Sequence, residues 1–586
     1  MKIKNFLFIN YFKIFLIILN NLSNSKKNFK FKFYILIFVV LLTSTVEIFS
    51  IGIIFPIFDI FSQHDKSKYY QYVSFLNLDT KKDLLLLYFL FFIGIVFLIK
   101  NILILLSINY TNKFFHSLEV DISENILKNY ISKNKLEDFN NDVSLLFKNA
   151  RTEVVLFSEL LKSQITIIKE VVILTFLLSL SIFVQPLYFL FCLVSLALIG
   201  FLFNFYSKKI LKSYGQKRVY HEGKYFHYIL TFISGLKEIS LFKVQNFFYS
   251  NIKHHLNNFN SLLRKKVLFA NSPKYIFEIF GIFFLIVLIC INLFFIAMPM
   301  SEIVPILIFY IVIFYRVLPS ISSINTNIVN LNYNNSALNI ISKELINKKI
   351  SNDLKIKNNY PGKFKFEDSV KFSNLSFSYE DKLIFDNTSF EIKKNQFTLL
   401  CGPSGIGKST VIKLLLGSLL PTRGGLFVDD IKITENNINN FRDKFSVVYQ
   451  DSFVMNDTIL TNITFEENKK KINWEKLYES CKNAEILDFC NSLPAKFETI
   501  IGEKGEKISG GQKQRLAIAR ALYFKKDLLI LDESTNALDK KTEIKIIENL
   551  SQIKSMTIFC VGHKLENSLI LKNFYEIKEK KIIKIK

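Results

Sequence analysis

The chain has 586 residues, half of them hydrophobic, and its 75 basic and 50 acidic residues give a formal charge of +25. Its mean hydropathy is +0.27, and the apolar residues are concentrated before residue 322, in segments of about twenty. This pattern excludes a soluble enzyme, a disordered chain and a small disulfide-linked scaffold. It predicts an integral membrane protein with a soluble part attached.

The excess of basic residues does not indicate nucleic-acid binding. The lysines are scattered, and many flank hydrophobic segments, where basic cytoplasmic loops are expected. The six cysteines show no CxxC spacing, so they fit reduced thiols better than disulfides or a zinc site. We therefore expect no nucleic-acid partner.

Six segments are long and apolar enough to cross a hydrocarbon core of about 30 Å. They are 33–57, 84–108, 168–185, 187–206, 275–297 and 303–322. An earlier apolar stretch, 6–19, is too short and is interrupted by Lys13, which favours an interfacial helix over a signal peptide. The first half of the chain is thus predicted to contain six membrane-spanning helices.

The loops predict the orientation of these helices. Seven lysines precede the first segment, and the connections 109–167 and 207–274 are long and basic, whereas the short link 298–302 has no Lys or Arg. The positive-inside rule then puts the N-terminus and both long connections in the cytoplasm. The first outer loop, 58–83, is an exception to this rule because it contains four lysines. Apolar residues at helical spacing predict that the spanning helices continue through both connections.

Six charged residues fall inside the predicted spans, where charges are costly and often functional, and four of them are the single charge of their span. Glu278 and Arg316 both lie toward the cytoplasmic half, where they either pair with each other or mark the places where the helices leave the bilayer. Glu47 lies deeper, and either lines a polar cavity or packs between helices. Lys100 is the fourth.

The composition changes after the last span. Residues 336–368 are rich in Asn, Lys and Asp and end near Pro361-Gly362, which predicts a linker. The domains are therefore predicted as a helical membrane domain at 1–335, the linker at 336–368, and an α/β domain at 369–586.

The α/β domain contains a phosphate-binding loop. A short apolar strand, Phe397–Cys401, precedes a loop that matches G-x-x-x-x-G-K-[ST], and an apolar helix follows. Backbone N–H groups of such a loop surround phosphate oxygens at the positive end of the helix. We expect Lys408 to reach the β- and γ-phosphates of ATP and Ser409 to hold Mg²⁺. The expected nucleotide-binding residues of the loop are Gly402, Pro403, Ser404, Gly405, Ile406, Gly407, Lys408, Ser409 and Thr410.

Two further strands are predicted to end beside this loop. The run 528–531 has the continuous apolar character of a strand buried on both faces, and Asp532-Glu533 follows it. Asp532 can hold the Mg²⁺ shell, and Glu533 can polarise the attacking water. The strand 557–561 is followed by Gly562-His563, where His563 could contact the γ-phosphate. Lys408, Glu533 and His563 are the candidate catalytic residues.

A glycine pair opens the helix that precedes Asp532. Ser509 and Gln512 form the pattern of a capping box, with Gly510 and Gly511 between them. Glycines weaken the first turn of a helix, but their bare backbone N–H groups can approach an anion closely. Because the loop at 402–410 already holds a phosphate of this chain, we expect these groups to face ATP on another subunit.

The order of these motifs resembles that of ABC transporters over essentially the whole chain. The resemblance implies that 402–410 is Walker A and that 528–532 with Glu533 is Walker B with the catalytic glutamate. It also implies that 509–512 is the family signature, with Ile508 where leucine is usual.

The same resemblance implies roles for single residues. Gln450 corresponds to the Q-loop residue that touches Mg²⁺ and the transmembrane helices, and Tyr379 to the aromatic ring that stacks on adenine. Asp539 belongs to the D-loop, in which Asn536 replaces the usual serine, and His563 corresponds to the switch histidine. The implied cofactors are ATP and Mg²⁺.

Direction and assembly also follow from the resemblance. Residues 499–505 resemble the X-loop of exporters, and a membrane part that precedes a fused ATPase domain is typical of exporters. A single ATPase domain implies a half-transporter that must dimerise. Glu533 is intact and the departures at Ile508 and Asn536 are mild, which favours a homodimer over a heterodimer with one degenerate site.

The substrate is predicted from one short stretch. Residues 235–242 resemble a segment of bacterial flippases for lipid-linked oligosaccharides. The sequence thus predicts ATP-driven export or flipping of a lipid-linked or amphiphilic substrate, among membrane lipids, across the bacterial inner membrane, with the ATPase domain cytoplasmic. A peptide or drug exporter is the alternative within this class. A membrane-tethered P-loop ATPase without transport is the alternative from another class.

Overall fold

The computed structural model of the protein describes residues 29–53, 82–132, 143–184, 186–291, 300–355, 366–380, 382–434, 437–535, 537–562 and 573–585. The described residues up to Lys349 form one compact unit, unit 1, and those from Ile350 onward form a second, unit 2. The predicted interfacial helix at 6–19 and the first outer loop, except its last two residues, lie outside the described residues.

Unit 1 is helical. Its helices are α1 (Phe29–Gly52), α2 (Lys82–Ser132), α3 (Val143–Ala150), α4 (Thr152–Val184), α5 (Pro186–Ser234), α6 (Leu236–Leu241), α7 (Gln245–Ile291), α8 (Met300–Tyr333) and α9 (Asn335–Lys355). The helices α2, α4, α5 and α7 contain 33 to 51 residues each and run into the two connections that were predicted to be helical. A membrane crossing needs only about 20.

Three helices among the described residues are long and apolar enough to cross a membrane. They are Phe29–Gly52, Leu87–Tyr130 and Gln245–Ile291. On α2 the apolar side chains from Leu87 to Ile108 are largely exposed, as Phe91 and Leu105 illustrate. Such a surface is unfavourable in water and suits contact with lipid.

The core of unit 1 joins both ends of its sequence. Phe33 and Leu36 of α1 pack with Leu118 of α2, Phe157 of α4 and Leu338 of α9 in one buried cluster. Most of the segment predicted as a linker, 336–368, is therefore helical, and the first turns of that helix belong to the core of unit 1. The domain boundaries proposed from composition, 1–335, 336–368 and 369–586, stay predictions.

A proline inside α7 has its freed backbone group satisfied by a neighbouring helix. Pro273 has no N–H to donate to the carbonyl of Phe269, four residues earlier. The side-chain amide of Asn325 on α8 donates to the carbonyls of Phe269, at 3.3 Å, and Ala270, at 3.0 Å. Asn325 thus compensates the break and ties α8 to α7 at that point.

Arg316 pairs with two carboxylates, and neither is Glu278. Its Nε donates to Glu47 Oε1 at 2.8 Å, and an Nη donates to Glu170 Oε2 at 3.2 Å. Lys169 Nζ lies 3.7 Å from the other Glu47 oxygen. The suggested Glu278–Arg316 pair is therefore wrong, because Glu278 is on an exposed face of α7. The cluster joins α1, α4 and α8, so Glu47 takes the helix-packing role.

A second buried ionic cluster joins α3, α4 and α5. Arg218 lies 2.7 Å from Glu222 and 3.0 Å from Glu153, while Lys148 lies 3.3 Å from Glu153. All four side chains are buried, and burial lowers the pKa of Lys148 although two carboxylates oppose that shift. Two cations and two anions balance, which is the condition for burying such charges at acceptable cost.

Unit 2 contains two sheets and the helices that cover them. The strands are β1 (Ser369–Tyr379), β2 (Lys382–Lys393), β3 (Phe397–Cys401), β4 (Arg423–Val428), β5 (Ile431–Lys432), β6 (Phe445–Val448), β7 (Leu528–Asp532), β8 (Thr557–Gly562), β9 (Asn573–Lys578) and β10 (Lys581–Lys584). The helices are α10 (Lys408–Leu415), α11 (Ile438–Arg442), α12 (Ile459–Thr464), α13 (Trp474–Asn483), α14 (Leu487–Ser492), α15 (Gly510–Phe524) and α16 (Lys540–Gln552). The predicted fold class, a helical membrane domain followed by an α/β ATPase domain, is confirmed.

The larger sheet has the order β10-β9-β3-β8-β7-β6, and its five strands from β9 to β6 are parallel. The smaller sheet, β2-β1-β4-β5, is antiparallel. One hydrophobic cluster fills the space between the sheets, and a second lies between the larger sheet and α12, α13 and α15. β3, β7 and β8 are almost completely buried, as their apolar runs predict.

Gly215 and Gly223 on α5 provide a matched test of helix packing. A Cβ on Gly215 would lie 2.2 Å from the backbone oxygen of Tyr333, whereas a Cβ on Gly223 would have nothing within 4 Å. We expect Gly215→Ala to destabilise the protein by about 1–3 kcal/mol, because two helix backbones must separate. Gly223→Ala should stabilise it by about 0.5–1 kcal/mol through helix propensity.

Thermal unfolding of both variants in detergent measures this difference. Equal shifts in Tm, or a larger loss for Gly223→Ala, would contradict the close approach of α5 and α8.

Candidate nucleotide-binding site

The phosphate-binding loop follows the central strand of the larger sheet. β3 is buried along its whole length between β8 and β9, and α10 begins at Lys408 directly after the loop. Gly405 has φ +78° and Gly407 has φ +114°, a region that favours glycine. A Cβ on Gly407 would also lie 2.9 Å from Ile384 and 3.0 Å from Phe385. Both glycines are therefore required by the backbone.

Lys408 is buried and is held at two points. Its Nζ donates to the carbonyl of Gly402 at 2.8 Å and lies 3.1 Å from Glu533 Oε1. The first contact folds the side chain back over the loop, and the second joins it to the end of β7. The ammonium group is thus already positioned over the concave side of the loop, where a phosphate would be neutralised.

Asp532 and Glu533 lie at the end of β7, beside the loop. Burial and the neighbouring Glu533 raise the pKa of Asp532 to about 6, against the opposing effect of Lys408. Glu533 has φ +46°, and its N–H donates to Val561 of β8 at 2.8 Å. A strained residue of this kind, held by its neighbours, is typical of functional sites.

Tyr379 and Gln450 are both accessible. The ring of Tyr379 packs edge-on against Phe377 at 4.9 Å and leaves its other surface exposed, which is compatible with stacking on a base. Gln450 follows the last residues of β6, and β6 pairs with β7 in a register that sets Val448 beside Leu531. Gln450 is therefore presented at the same edge of the sheet as Asp532.

The signature segment forms the predicted capping box. Ser509 Oγ accepts from the N–H of Gln512 at 3.2 Å, and Gln512 Oε1 accepts from the N–H of Ser509 at 2.8 Å. Gly510 is exposed, so the first turn of α15 presents backbone N–H groups at its surface. The structural role of the pair and its proposed anion-binding role are compatible.

Asp539 is the N-cap of α16. Its side chain accepts from the N–H of Thr542 at 3.0 Å, and hydrogen bonds with Thr542 keep the pKa of Asp539 below its usual value. The other two D-loop and switch positions, Asn536 and His563, lie outside the described residues. Their predicted roles therefore stay predictions.

Two supporting residues were not found from the sequence. Arg442 donates to the carbonyl of Leu416 at 2.7 Å and to that of Gly417 at 3.2 Å, so it caps the end of α10 where carbonyls have no helical partner. Gln514 accepts from the N–H of Ala537 at 3.1 Å. Both contacts join segments distant in the chain, and a single arginine or glutamine in a polar stretch gives no pattern that would predict them.

The residues present fit Mg²⁺ and a nucleotide. The loop borders open space at Gly405, since a Cβ there would have nothing within 4 Å. Among the described residues, no cluster of three or more His, Cys, Asp or Glu could hold a metal by itself. Magnesium bound to nucleotides typically takes only one or two protein ligands and fills its shell with phosphate oxygens and water. Ser409, Gln450 and Asp532 are the candidates for those protein ligands.

The Lys408–Glu533 contact predicts how Glu533→Gln behaves. ATP must draw Lys408 away from Glu533, so a neutral glutamine should tighten ATP binding by about threefold to tenfold while hydrolysis is lost. Equilibrium binding of ATP at 4 °C, compared with Lys408→Ala as the variant that loses binding, measures this effect. Weaker binding by Glu533→Gln than by the native chain would contradict it.

The raised pKa of Asp532 predicts a gain in stability on neutralisation. At pH 7 the buried carboxylate is ionised at a free-energy cost, because its folded-state pKa lies above its ordinary value of 3.8. In the absence of nucleotide and magnesium, Asp532→Asn should therefore raise Tm by a few degrees at pH 7. The gain should disappear at pH 4, where the native carboxyl carries its proton, and an equal gain at both values would contradict this account.

Comparisons with known proteins agree with this arrangement. The ABC transporter family model matches residues 385–536. The ABC multidrug transporter mdr1 of Aspergillus fumigatus is 43% identical over 176 residues, which are 30% of this chain and 13% of that protein. The lactococcin-G-processing and transport ATP-binding protein LagD of Lactococcus lactis is 36% identical over 201 residues, 34% of this chain and 28% of that protein.

A third relative, the chloroplastic ABC transporter B family member 29 of Arabidopsis thaliana, is 36% identical over 192 residues, 33% of this chain and 30% of that protein. The matched region thus spans less than a third of each relative. A solved structure of a bacterial Atm1-family ABC exporter with ATP bound matches with a TM-score of 0.75 and 19% identity, over 95% of both chains. Residues 385–536 therefore match the ABC transporter family model, and the chain shares the fold of that solved exporter over 95% of its length.

Proposed function

We propose that the protein is an ATP-driven half-exporter that works as a pair of identical copies and moves a lipid-linked or amphiphilic molecule across a membrane. The observation that carries the proposal is the convergence of Lys408, Asp532 and Glu533 at one sheet edge, in a chain whose other unit has helices able to span a bilayer. ATP, when bound, supplies the phosphoanhydride bond whose hydrolysis drives transport.

In this proposal each residue at the edge has a separate task. The N–H groups of 402–410 and the ammonium of Lys408 bind the phosphates, and Tyr379 stacks on the adenine. Ser409, Gln450 and Asp532 hold Mg²⁺. Glu533 orients the attacking water and accepts its proton, and His563 contacts the γ-phosphate.

The second copy is needed to complete the site. The exposed first turn of α15, with Gly510 and Gly511, has the backbone geometry for binding an anion. The loop at 402–410 provides such a site for the nucleotide of its own chain, so the signature is assigned to the nucleotide held by the partner copy. Two ATP molecules then lie between two ATPase units, and their binding and hydrolysis drive the membrane helices between inward-open and outward-open arrangements.

The substrate proposal depends on residues 235–242. The structure forms α6 within this stretch, with Leu241 79% and Phe242 74% exposed. The resemblance of this stretch to flippases for lipid-linked oligosaccharides supports a lipid-linked substrate at a bacterial inner membrane, with the ATPase unit in the cytoplasm. A peptide or drug substrate is the second candidate, because the matched relatives include a lactococcin-G-processing and transport protein and a multidrug transporter.

The test is the ATPase rate of the full chain in nanodiscs, with and without polyprenyl-linked glycan lipids. We expect these lipids to stimulate the native chain several-fold and to leave Glu533→Gln without activity. Gly223→Ala is a suitable control, since Gly223 belongs to unit 1 and a Cβ there would have nothing within 4 Å.

The outcomes separate the candidates. Stimulation by peptides or small amphiphiles, but not by lipid-linked glycans, would replace the substrate and keep the exporter. A rate unaffected by every solute would favour a membrane-tethered ATPase that moves nothing. Native turnover by Glu533→Gln would overturn the assignment of the catalytic carboxylate.

A further inference from the structure

The first turn of α15 packs closely against the segment that follows Glu533. A Cβ on Gly511 would lie 3.0 Å from the backbone oxygen of Ala537, and a Cβ on Gly510 would lie 3.7 Å from the Ala537 side chain. The absence of a side chain at Gly511 is what lets the two backbones approach. The glycine pair therefore allows close backbone packing inside this chain, and it also presents a surface that is available to an anion.

Gln514 fixes this contact with a directional bond. Its side chain is only 5% exposed, and its Oε1 accepts from the N–H of Ala537 at 3.1 Å. A side-chain acceptor one turn into α15 thus holds a backbone donor of a different segment. Loss of the acceptor would leave that donor without this partner, and an apolar side chain could not replace it.

Ala537 follows Glu533 by only four residues, and described residues on both sides of Asn536 make backbone hydrogen bonds. The N–H of Glu533 donates to Val561 at 2.8 Å, and that of Leu538 donates to Thr535 at 3.0 Å. Asp539 then caps α16. Four residues span at most about 14 Å, so the Gln514–Ala537 bond is joined to the backbone of Glu533 by a short stretch of chain.

We propose that Gln514 is a positioning residue that couples the signature helix to the catalytic carboxylate of the same copy. The inference rests on the proposed function, in which the signature of a copy binds the partner's nucleotide while its Glu533 acts on its own. Nucleotide bound at one site then adjusts the carboxylate of the other site through Gln514 and Ala537. The two ATP sites of the pair are thereby coupled.

The test compares Gln514→Leu, which removes the acceptor at similar volume, with Gln514→Glu, which retains an acceptor oxygen. ATP hydrolysis by the full chain in nanodiscs is measured against ATP concentration. We expect Gln514→Leu to lower kcat about tenfold and to bring the Hill coefficient from above 1 to near 1. Gln514→Glu should keep kcat within about twofold and retain the cooperativity.

Two measurements distinguish coupling from loss of structure. ATP affinity, measured in a Glu533→Gln background, should be unchanged by Gln514→Leu, because the leucine does not touch the phosphate-binding loop. Asn437 is a matched control, since it is also buried and its Oδ1 accepts from the N–H of Thr434 at 2.8 Å, away from α15. Asn437→Leu should lower Tm and leave the Hill coefficient unchanged.

Three results would overturn the proposal. They are a native Hill coefficient of 1, a cooperative Gln514→Leu variant, and a Gln514→Glu variant as impaired as the leucine variant. Failure of the proposed function is recognised separately, because the native chain itself would then show no ATP hydrolysis.

Discussion

The parallel pairing of β3, β8, β7 and β6 is the constraint on which the ATP-binding unit depends. Parallel strands end at the same edge of a sheet, and ligands bind where their carboxyl ends meet. The register brings Lys408, Gln450 and the adjacent pair Asp532 and Glu533 to that edge from three separate parts of the sequence. Burying two carboxylates together raises the pKa of Asp532, and the nearby ammonium group of Lys408 offsets part of that cost. The site is thus held together by the same charges that are proposed to bind phosphate and magnesium.

Unit 1 also buries charged side chains, and it does so between helices. Its helices bury charges in two clusters in which each cation lies beside carboxylates from other helices, around Arg316 and around Arg218. Removing one member of such a cluster costs more than the pair contributes, because a buried charge remains without a partner. These clusters, the Asn325 bonds beside Pro273 and the close approach at Gly215 specify which helices pack together. Lipid alone would not do so, since it solvates any apolar face equally well.

Local patterns predicted much of this protein because they are properties of short segments. The strand at 397–401, the capping box at Ser509 and the long helices all follow from apolar periodicity and capping residues. The partners of Arg316 could not be obtained in this way, because Glu47 and Glu170 lie 269 and 146 residues away. Gln514 was missed for the same reason, since its partner is a backbone N–H that leaves no mark in the sequence.

The central claim is that each ATP site is built from two copies of the chain, and complementation tests it most directly. Lys408→Ala removes the phosphate-binding ammonium group, and Ser509→Arg obstructs the signature turn. Each variant alone should hydrolyse no ATP. In a mixed pair, isolated through two different tags, one site combines both substitutions and the other is intact. We predict that the mixed pair regains ATP hydrolysis, and a mixed pair as inactive as its parents would contradict the account.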